Sequence, residues 1–214
     1  MPHPATGVRR RPVQRRSIER FERMLDICAR LLEEVGVDAL TTREVAERAD
    51  VPIGTLYQFF DGKAGLLRQL ALRNLERLME RLRARAAAAP VATWSDLAVL
   101  VLEEFVAMRR TVPGFAVVDF EDNRPDAPPL LDRSGGRETT AVMADWIYAL
   151  GTRELGLPEI PDREYVLPVA MESAAAAMKL PFRHSAEGDP RMIAEIARLL
   201  RAYFDQAMRD AAQY

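Results

Sequence analysis

The chain reads as an all-α protein of about nine helices, and three features of its 214 residues predict this. Apolar residues recur at steps of three and four, the spacing that builds one buried helical face. No apolar–polar alternation runs beyond four residues, so no half-buried strand can be placed. Glycine and proline punctuate the ends of the periodic stretches, at Gly36, Pro90, Pro158, Pro161, Pro181 and Gly188.

The first helix starts at Ser17, carries Ile18, Phe21, Leu25, Cys28, Leu32 and Val35 on one face, and is closed by Gly36. Cys28 lies inside that stripe and reads as a small core residue rather than a reactive thiol. Thr41-Thr42-Arg43-Glu44 then forms a capping box. Thr41 accepts from the Glu44 amide while the Glu44 carboxylate reaches back to the Thr41 amide. A short helix follows to about Ala49. Asp50-Val51 makes the turn, aspartate being one of the few side chains that tolerates a left-handed backbone. Pro52 suits the first position of another short helix, ending near Phe59. Neither short helix can bury a full face alone. They are expected to cross and pack through Val45, Ala46, Ala49, Val51, Leu56 and Phe60, the geometry of a helix-turn-helix.

After Asp61-Gly62-Lys63, a long helix is expected from Lys63 to about Ala89, with Leu66, Leu67, Leu70, Leu75, Leu78 and Leu82 as its apolar positions. Further helices are expected at about 94–110, capped by Thr93 or Ser95, and at about 113–122, 130–150, 164–180 and 190–213. Pro125, Pro128 and Pro129 mark a loop, and Ser134-Gly135-Gly136 breaks or bends the helix that follows it.

Composition narrows the function classes. At 49% hydrophobic and 29% charged the chain has the makeup of a folded globular protein. Its longest apolar run, Leu97 to Leu102, is too short to span a membrane. No apolar stretch follows the basic N-terminus, so no secretory signal is expected. The single cysteine excludes an intrachain disulfide and a cysteine-built zinc site, and fits the cytoplasm. Only His3 and His184 are present, and Ser185 and Asp189 lie near His184 in sequence without forming a triad by that fact. There is no H-E-x-x-H, phosphate-cradling glycine loop or dinucleotide fingerprint. No enzymatic activity, metal or cofactor is therefore expected. The net charge of −2 conceals a split: residues 1–90 hold 17 basic against 12 acidic residues, and residues 91–214 hold 13 against 20. Arg9, Arg10, Arg11, Arg15 and Arg16 precede the first acid, Glu19. This points to a polyanionic partner for the N-terminal part, or to a disordered basic tail.

The segment TTREVAERADVPIGTLYQFFDGKAGL, residues 41–66, resembles the DNA-binding domain of the TetR/AcrR family of bacterial transcriptional regulators. The match lies in Thr42-Arg43, Val45-Ala46, Val51, Gly54-Thr55-Leu56-Tyr57, Phe60, Lys63 and Leu66. Asp50 stands where that family usually has glycine, and Pro52 where serine commonly caps the recognition helix; both suit the turn. The resemblance implies a basic flexible arm (1–16), a helix-turn-helix domain (17–62) and a helical effector-binding and dimerisation domain (63–214). It further implies a one-component repressor, located in the cytoplasm at the nucleoid. The partners it implies are a double-stranded inverted-repeat operator, a small apolar or amphipathic effector that releases it, and a second copy of the chain; no membrane partner is implied.

The residues support the DNA reading chemically. Gly54 and Thr55 are small where a helix backbone would approach the duplex. Thr42, Tyr57 and Lys63 offer a hydroxyl, a phenol and an ammonium for phosphates, contacts that set register without reading sequence. Gln58 suits a base edge or a phosphate, Ile53 a thymine methyl, and Arg43 a phosphate or a base. Arg15 and Arg16 close an arm that would lie along phosphates or enter an A·T-rich minor groove. A single short helix buries too little for specific binding, so two half-sites and a dimer are expected. Ala174 and Ala177, with Ile196, Leu200, Tyr203, Phe204 and Ala207, form stripes that suit either the intrachain core or the four-helix interface the resemblance implies. Phe105, Met108, Phe115, Phe120, Met143, Trp146 and Met171 read by spacing as core; the resemblance implies that some of them line an effector cavity. Two other readings stay open: a DNA-binding regulator without a small-molecule ligand, and a helical ligand-binding protein with a vestigial DNA head.

Overall fold

The structure, a computed structural model, describes residues 15–115 and 139–211. Among these residues there are eight α-helices: α1 (Arg15–Ala39), α2 (Thr42–Arg48), α3 (Ile53–Phe59), α4 (Gly62–Ala88), α5 (Trp94–Thr111), α6 (Thr139–Ala149), α7 (Arg163–Met178) and α8 (Pro190–Ala211). A π-helical turn, Leu150–Glu154, prolongs α6. The expected helix at 113–122 is represented only by the turn through Phe115, and its remainder lies outside the described residues, as do the expected start at 130 and the 134–136 bend. None of the described helices is long and apolar enough to cross a membrane.

The chain divides into two compact units. One takes residues up to Arg77 together with the stretch from Thr111, and the other takes Leu78–Arg110 and the chain from α6 onward. The first half of α4, which the sequence assigned to the second domain, thus belongs to the first unit. The reason is packing: Leu66, Leu67, Leu70 and Ala71 share one core with Met24, Leu25, Cys28, Leu31 and Leu32 of α1 and with Val45, Ala46, Leu56 and Phe60. Leu56 and Phe60 are fully buried, and burial of that kind stabilises by about 1.5–3 kcal/mol per side chain. Phe21 stacks on Phe60 at 5.0 Å and meets Phe59 edge-on at 5.9 Å. Burial drives the Cys28 thiol pKa up to about 12, which fits a core role. The α1 stripe is shorter than the periodicity suggests, since Ile18 and Val35 at its two ends are exposed. Gly36 does interrupt the helix, with φ 75° and ψ 174°, but helical structure resumes to Ala39.

Asp50 adopts the expected left-handed conformation at φ 52°. Thr41 caps α2 by accepting from the Glu44 amide at 3.2 Å. The Glu44 carboxylate is paired with Arg48 at 3.0 Å. Arg73 of α4, almost wholly buried, fastens α4 to α1 through Glu22 at 3.0 Å and Asp26 at 2.8 Å. The turn after α5 also rests on α1. Gly114 (φ 73°) donates to Glu33 at 3.2 Å, and a Cβ there would sit 3.0 Å from the Ala29 Cα.

In the second unit, Leu102 and Val106 of α5 pack with Met178 of α7 and with Ile196 and Leu200 of α8. Trp94 is buried, stacked on Tyr148 at 5.6 Å and beside Phe204 at 6.5 Å, and its indole donates to the Pro158 carbonyl at 2.7 Å. Gly151 of the π turn leaves room for that indole. Thr93, not Ser95, caps α5, accepting from the Asp96 amide at 3.1 Å. The buried Glu104 carboxylate is neutralised by Arg81 and Arg85 from the second half of α4. Arg83 grips Glu154 with two bonds of 2.9 Å.

Candidate nucleic-acid interface

α2 and α3 pack tightly because the turn between them is only four residues long and Val51 donates back to the Ala46 carbonyl at 3.0 Å. That crossing brings Thr42, at the start of α2, to Tyr57 in the middle of α3, with their hydroxyl oxygens 3.2 Å apart. Two of the sequence-predicted phosphate contacts therefore form one hydroxyl pair on the outside of the head. Tyr57 is 43% exposed and Ile53 41% exposed. Gln58 and Arg43 are exposed, and Thr55 is half-buried with its amide donating to the Pro52 carbonyl at 2.8 Å. Leu56, Phe59 and Phe60 point into the core. One face of α3 holds the fold and the other meets solvent.

Gly54 is the informative member of this set. It is exposed, its φ is not positive, and a Cβ added to it would meet nothing within 4 Å. A glycine in a helix costs about 0.5–1 kcal/mol relative to alanine. Nothing inside the chain requires that cost, neither backbone conformation nor crowding.

Lys63 is half-buried and donates to the Asp38 carbonyl at 3.2 Å. That bond uses one of the three N–H donors of its ammonium. Arg15 and Arg16 need a correction. They were expected to end a flexible arm, but they form the exposed first turn of α1, where Arg15 pairs with Glu19 at 3.0 Å. The i, i+4 spacing of that pair favours helix at this position. The arginines at 9–11 lie outside the described residues.

The residues expected at a dimer interface divide by their burial within the single chain. Ile196, Leu200 and Phe204 are largely buried within the single chain, with exposures of 6, 5 and 6%. Ala174 and Ala177 pack against that same core, while Tyr203 and Ala207 are half-buried. The large apolar side chains that α7 and α8 leave exposed are Tyr165, Val169, Met192 and Leu199, with Leu180 just beyond α7. A depression of about 440 Å³ lies on this surface, lined by Ala177, Leu180, Met192, Ile196 and Leu199 together with Asp189, Arg191 and Glu195.

Of the residues expected around an effector, Met108 and Met143 are buried and Phe105, Trp146 and Met171 half-buried, all in the second unit. Phe115 is buried in the first unit, and Phe120 lies outside the described residues. Arg83 lies over the Trp146 ring at 5.5 Å. None of the six described residues lines the depression on α7 and α8.

Comparison with known proteins places this geometry. Residues 25–70 match the model of bacterial regulatory proteins of the tetR family, and residues 92–208 match a tetracyclin repressor-like C-terminal domain. A solved TetR-family transcriptional regulator from Streptomyces coelicolor is 40% identical, covers 88% of this chain and 99% of its own, and has a TM-score of 0.72. The HTH-type transcriptional repressor KstR of Rhodococcus jostii is 44% identical over 63 residues, which is 29% of this chain and 30% of KstR. The chain therefore matches less than a third of the length of that curated relative. FadR from Bacillus subtilis, solved in complex with stearoyl-CoA, has a TM-score of 0.62 at 16% identity, over 86% of this chain and 98% of its own. That likeness is one of fold.

Proposed function

We propose that this chain, which belongs to the TetR family of bacterial regulatory proteins, is a transcriptional repressor that binds an inverted-repeat operator as a homodimer and is released by a small-molecule effector. The observation that carries the DNA half is the exposed α3 surface, where a glycine with no intrachain reason to be there sits beside the Thr42–Tyr57 hydroxyl pair. Thr42, Tyr57 and Lys63 anchor phosphates, Ile53, Gly54, Thr55 and Gln58 face the major groove, and Arg43 and the α1 start with Arg15 and Arg16 add positive charge. Each phosphate neutralised steepens the fall of affinity with salt by about 0.9 in the log–log slope.

Dimerisation is assigned to the exposed face with Tyr165, Val169, Leu180, Met192 and Leu199, flanking the stripe that the chain's own core consumes. The effector is apolar or amphipathic and binds in the second unit among Phe105, Met108, Met143, Trp146 and Met171. Stearoyl-CoA, bound by the Bacillus subtilis FadR, is amphipathic in that sense. α4 runs unbroken from Gly62 to Ala88 and supplies residues to both units, which makes it the element through which the effector biases DNA binding. The test is selection from a pool of random duplexes with the full chain, followed by fluorescence anisotropy on the recovered sequence. An inverted repeat bound with a steep salt dependence is expected. A pool that shows no enrichment overturns the proposal.

A further inference from the structure

The charges of α1 are sorted by side. Each of its acids before Gly36 meets a partner inside the chain. Glu19 pairs with Arg15, Glu22 and Asp26 with Arg73, and Glu34 with Arg48, while Glu33 accepts from the Gly114 amide. The arginines divide differently. Arg15 is paired, whereas Arg16, Arg20, Arg23 and Arg30 are exposed and make no hydrogen bond or ion pair among the described residues. At about 100° per residue these four fall within about 80° of one another, a single stripe along the helix. At 1.5 Å per residue it runs about 21 Å from Arg16 to Arg30.

This arrangement works against the free helix. Arg16 and Arg20 are four residues apart and Arg20 and Arg23 three, the spacings at which like charges repel on a helix surface. The first turn holds Arg15 and Arg16 and no acid, although the amide end of a helix disfavours cations. Glutamine would form helix about as readily without the repulsion. The stripe is also fixed to the α2–α3 head. Phe21, next to Arg20, rests on Phe59 and Phe60, and Glu34 at the far end of the helix holds Arg48 of α2. Duplex DNA carries one phosphate charge per about 1.7 Å of its axis, so a rigid line of cations this long meets phosphates in many registers. Each guanidinium presents a forked set of donors that matches phosphate oxygens.

We propose that the arginine stripe of α1 is a sequence-independent phosphate track for duplex DNA, separate from the α3 surface that reads bases. Arg16 begins the track, and Arg20, Arg23 and Arg30 form its body. It sets the affinity of the protein for DNA that carries no operator, holding the head on the backbone while α3 samples sequence. This inference rests on the DNA-binding reading above and adds to it a second surface with a different task.

The test uses the full chain, a random-sequence duplex and the duplex recovered by selection. The variant combines Arg20→Gln, Arg23→Gln and Arg30→Gln, and a control combines the three corresponding changes to lysine. On random duplex at about 100 mM salt the glutamine variant binds at least about tenfold more weakly, and its log–log salt slope is shallower by about 0.9 for each phosphate released. The lysine control keeps the wild-type slope, because the charge is kept. The Tm of the glutamine variant does not fall, and its preference for the recovered duplex over the random one is not reduced. If the glutamine variant melts early, Arg30→Gln alone is measured in the same way, with a slope change of about 0.9. A glutamine variant with the slope and affinity of wild type, an equal loss in the lysine control, or displacement of the duplex by polyglutamate as readily as by unlabelled DNA would each overturn the proposal. A wild type that prefers no sequence, beside a glutamine variant that loses the slope, strikes the repressor reading and leaves the track standing.

Discussion

Replacing Gly54 by alanine separates what the chain needs from what its partner needs. Inside the protein the added methyl group is free of conflict, because no atom lies within 4 Å of the Cβ position and the backbone is not left-handed. Alanine also lowers the entropy of the unfolded chain and forms helix more readily. The expected gain is about 0.5–1 kcal/mol. For a chain of this size each kcal/mol moves Tm by about 2–4 °C, so scanning calorimetry should show a rise of about 1–4 °C. On DNA the same methyl group stands where α3 must approach the duplex. Loss of one well-made contact, about 1.4 kcal/mol, weakens operator affinity tenfold. Fluorescence anisotropy at fixed salt, on the duplex recovered by selection, reads this directly. A variant that gains thermal stability yet binds the operator as tightly as wild type would refute the placement of Gly54 at the interface.

Three further outcomes are expected. Leu199→Glu places a charge on the exposed face of α8, where the native leucine is 53% exposed and so contributes little to the chain's own core; light scattering should report a monomer with unchanged helicity, and a dimer would redirect the interface elsewhere. Gly151→Ala would set a Cβ 2.4 Å from the Trp94 indole, an overpacking that costs about 1–3 kcal/mol in urea unfolding and alters the near-ultraviolet circular dichroism of Trp94. Asp96 is held below its ordinary pKa of 3.8 by the Thr93 hydroxyl first, and further by the Ala92 and Thr93 amides and Arg201. A depressed carboxyl stabilises above its unfolded value and loses that contribution as pH falls through the folded one. Asp96→Asn should therefore cost about 0.5–1 kcal/mol at neutral pH, with the difference from wild type shrinking as pH falls below 3.8 and vanishing only below the lower folded value.

The head was legible in sequence because its determinants are local. The Thr41 cap, the left-handed Asp50 and the proline before α3 each act within four residues, and together they leave one crossing of α2 and α3 that buries Leu56 and Phe60. The arm was misjudged at Arg15 and Arg16 because an arginine run suggests an extended tail, whereas Glu19 four residues on from Arg15 extends the helix backward. The π turn at Leu150–Glu154 left no periodic trace. It answers to Trp94, more than fifty residues away, and no local pattern encodes the room an indole needs. Asn74 shows in sequence only as an amide among leucines at helical spacing. Its complete burial follows from packing of residues distant in sequence, which no local pattern encodes.

The dimer residues expose a general limit of periodicity. An apolar stripe on a helix states how wide its buried surface is, not whose atoms cover it. In α8 the central row, Ile196, Leu200 and Phe204, at intervals of one turn, is consumed by the chain's own core with α5 and α7. Met192 and Leu199 lie on its flank and are left exposed. In a helix that serves both purposes, folding takes the most apolar row before any partner is met, so that row by itself does not mark the interface. On the proposed assignment, association falls to the apolar residues displaced from the centre of the stripe, which look from sequence like imperfections in it. Charge placed on the flank should break the dimer and spare the fold, whereas charge placed on the central row should do both kinds of damage at once. For α8 the informative contrast is between Leu199 and its neighbour Leu200, adjacent in sequence, 53% and 5% exposed.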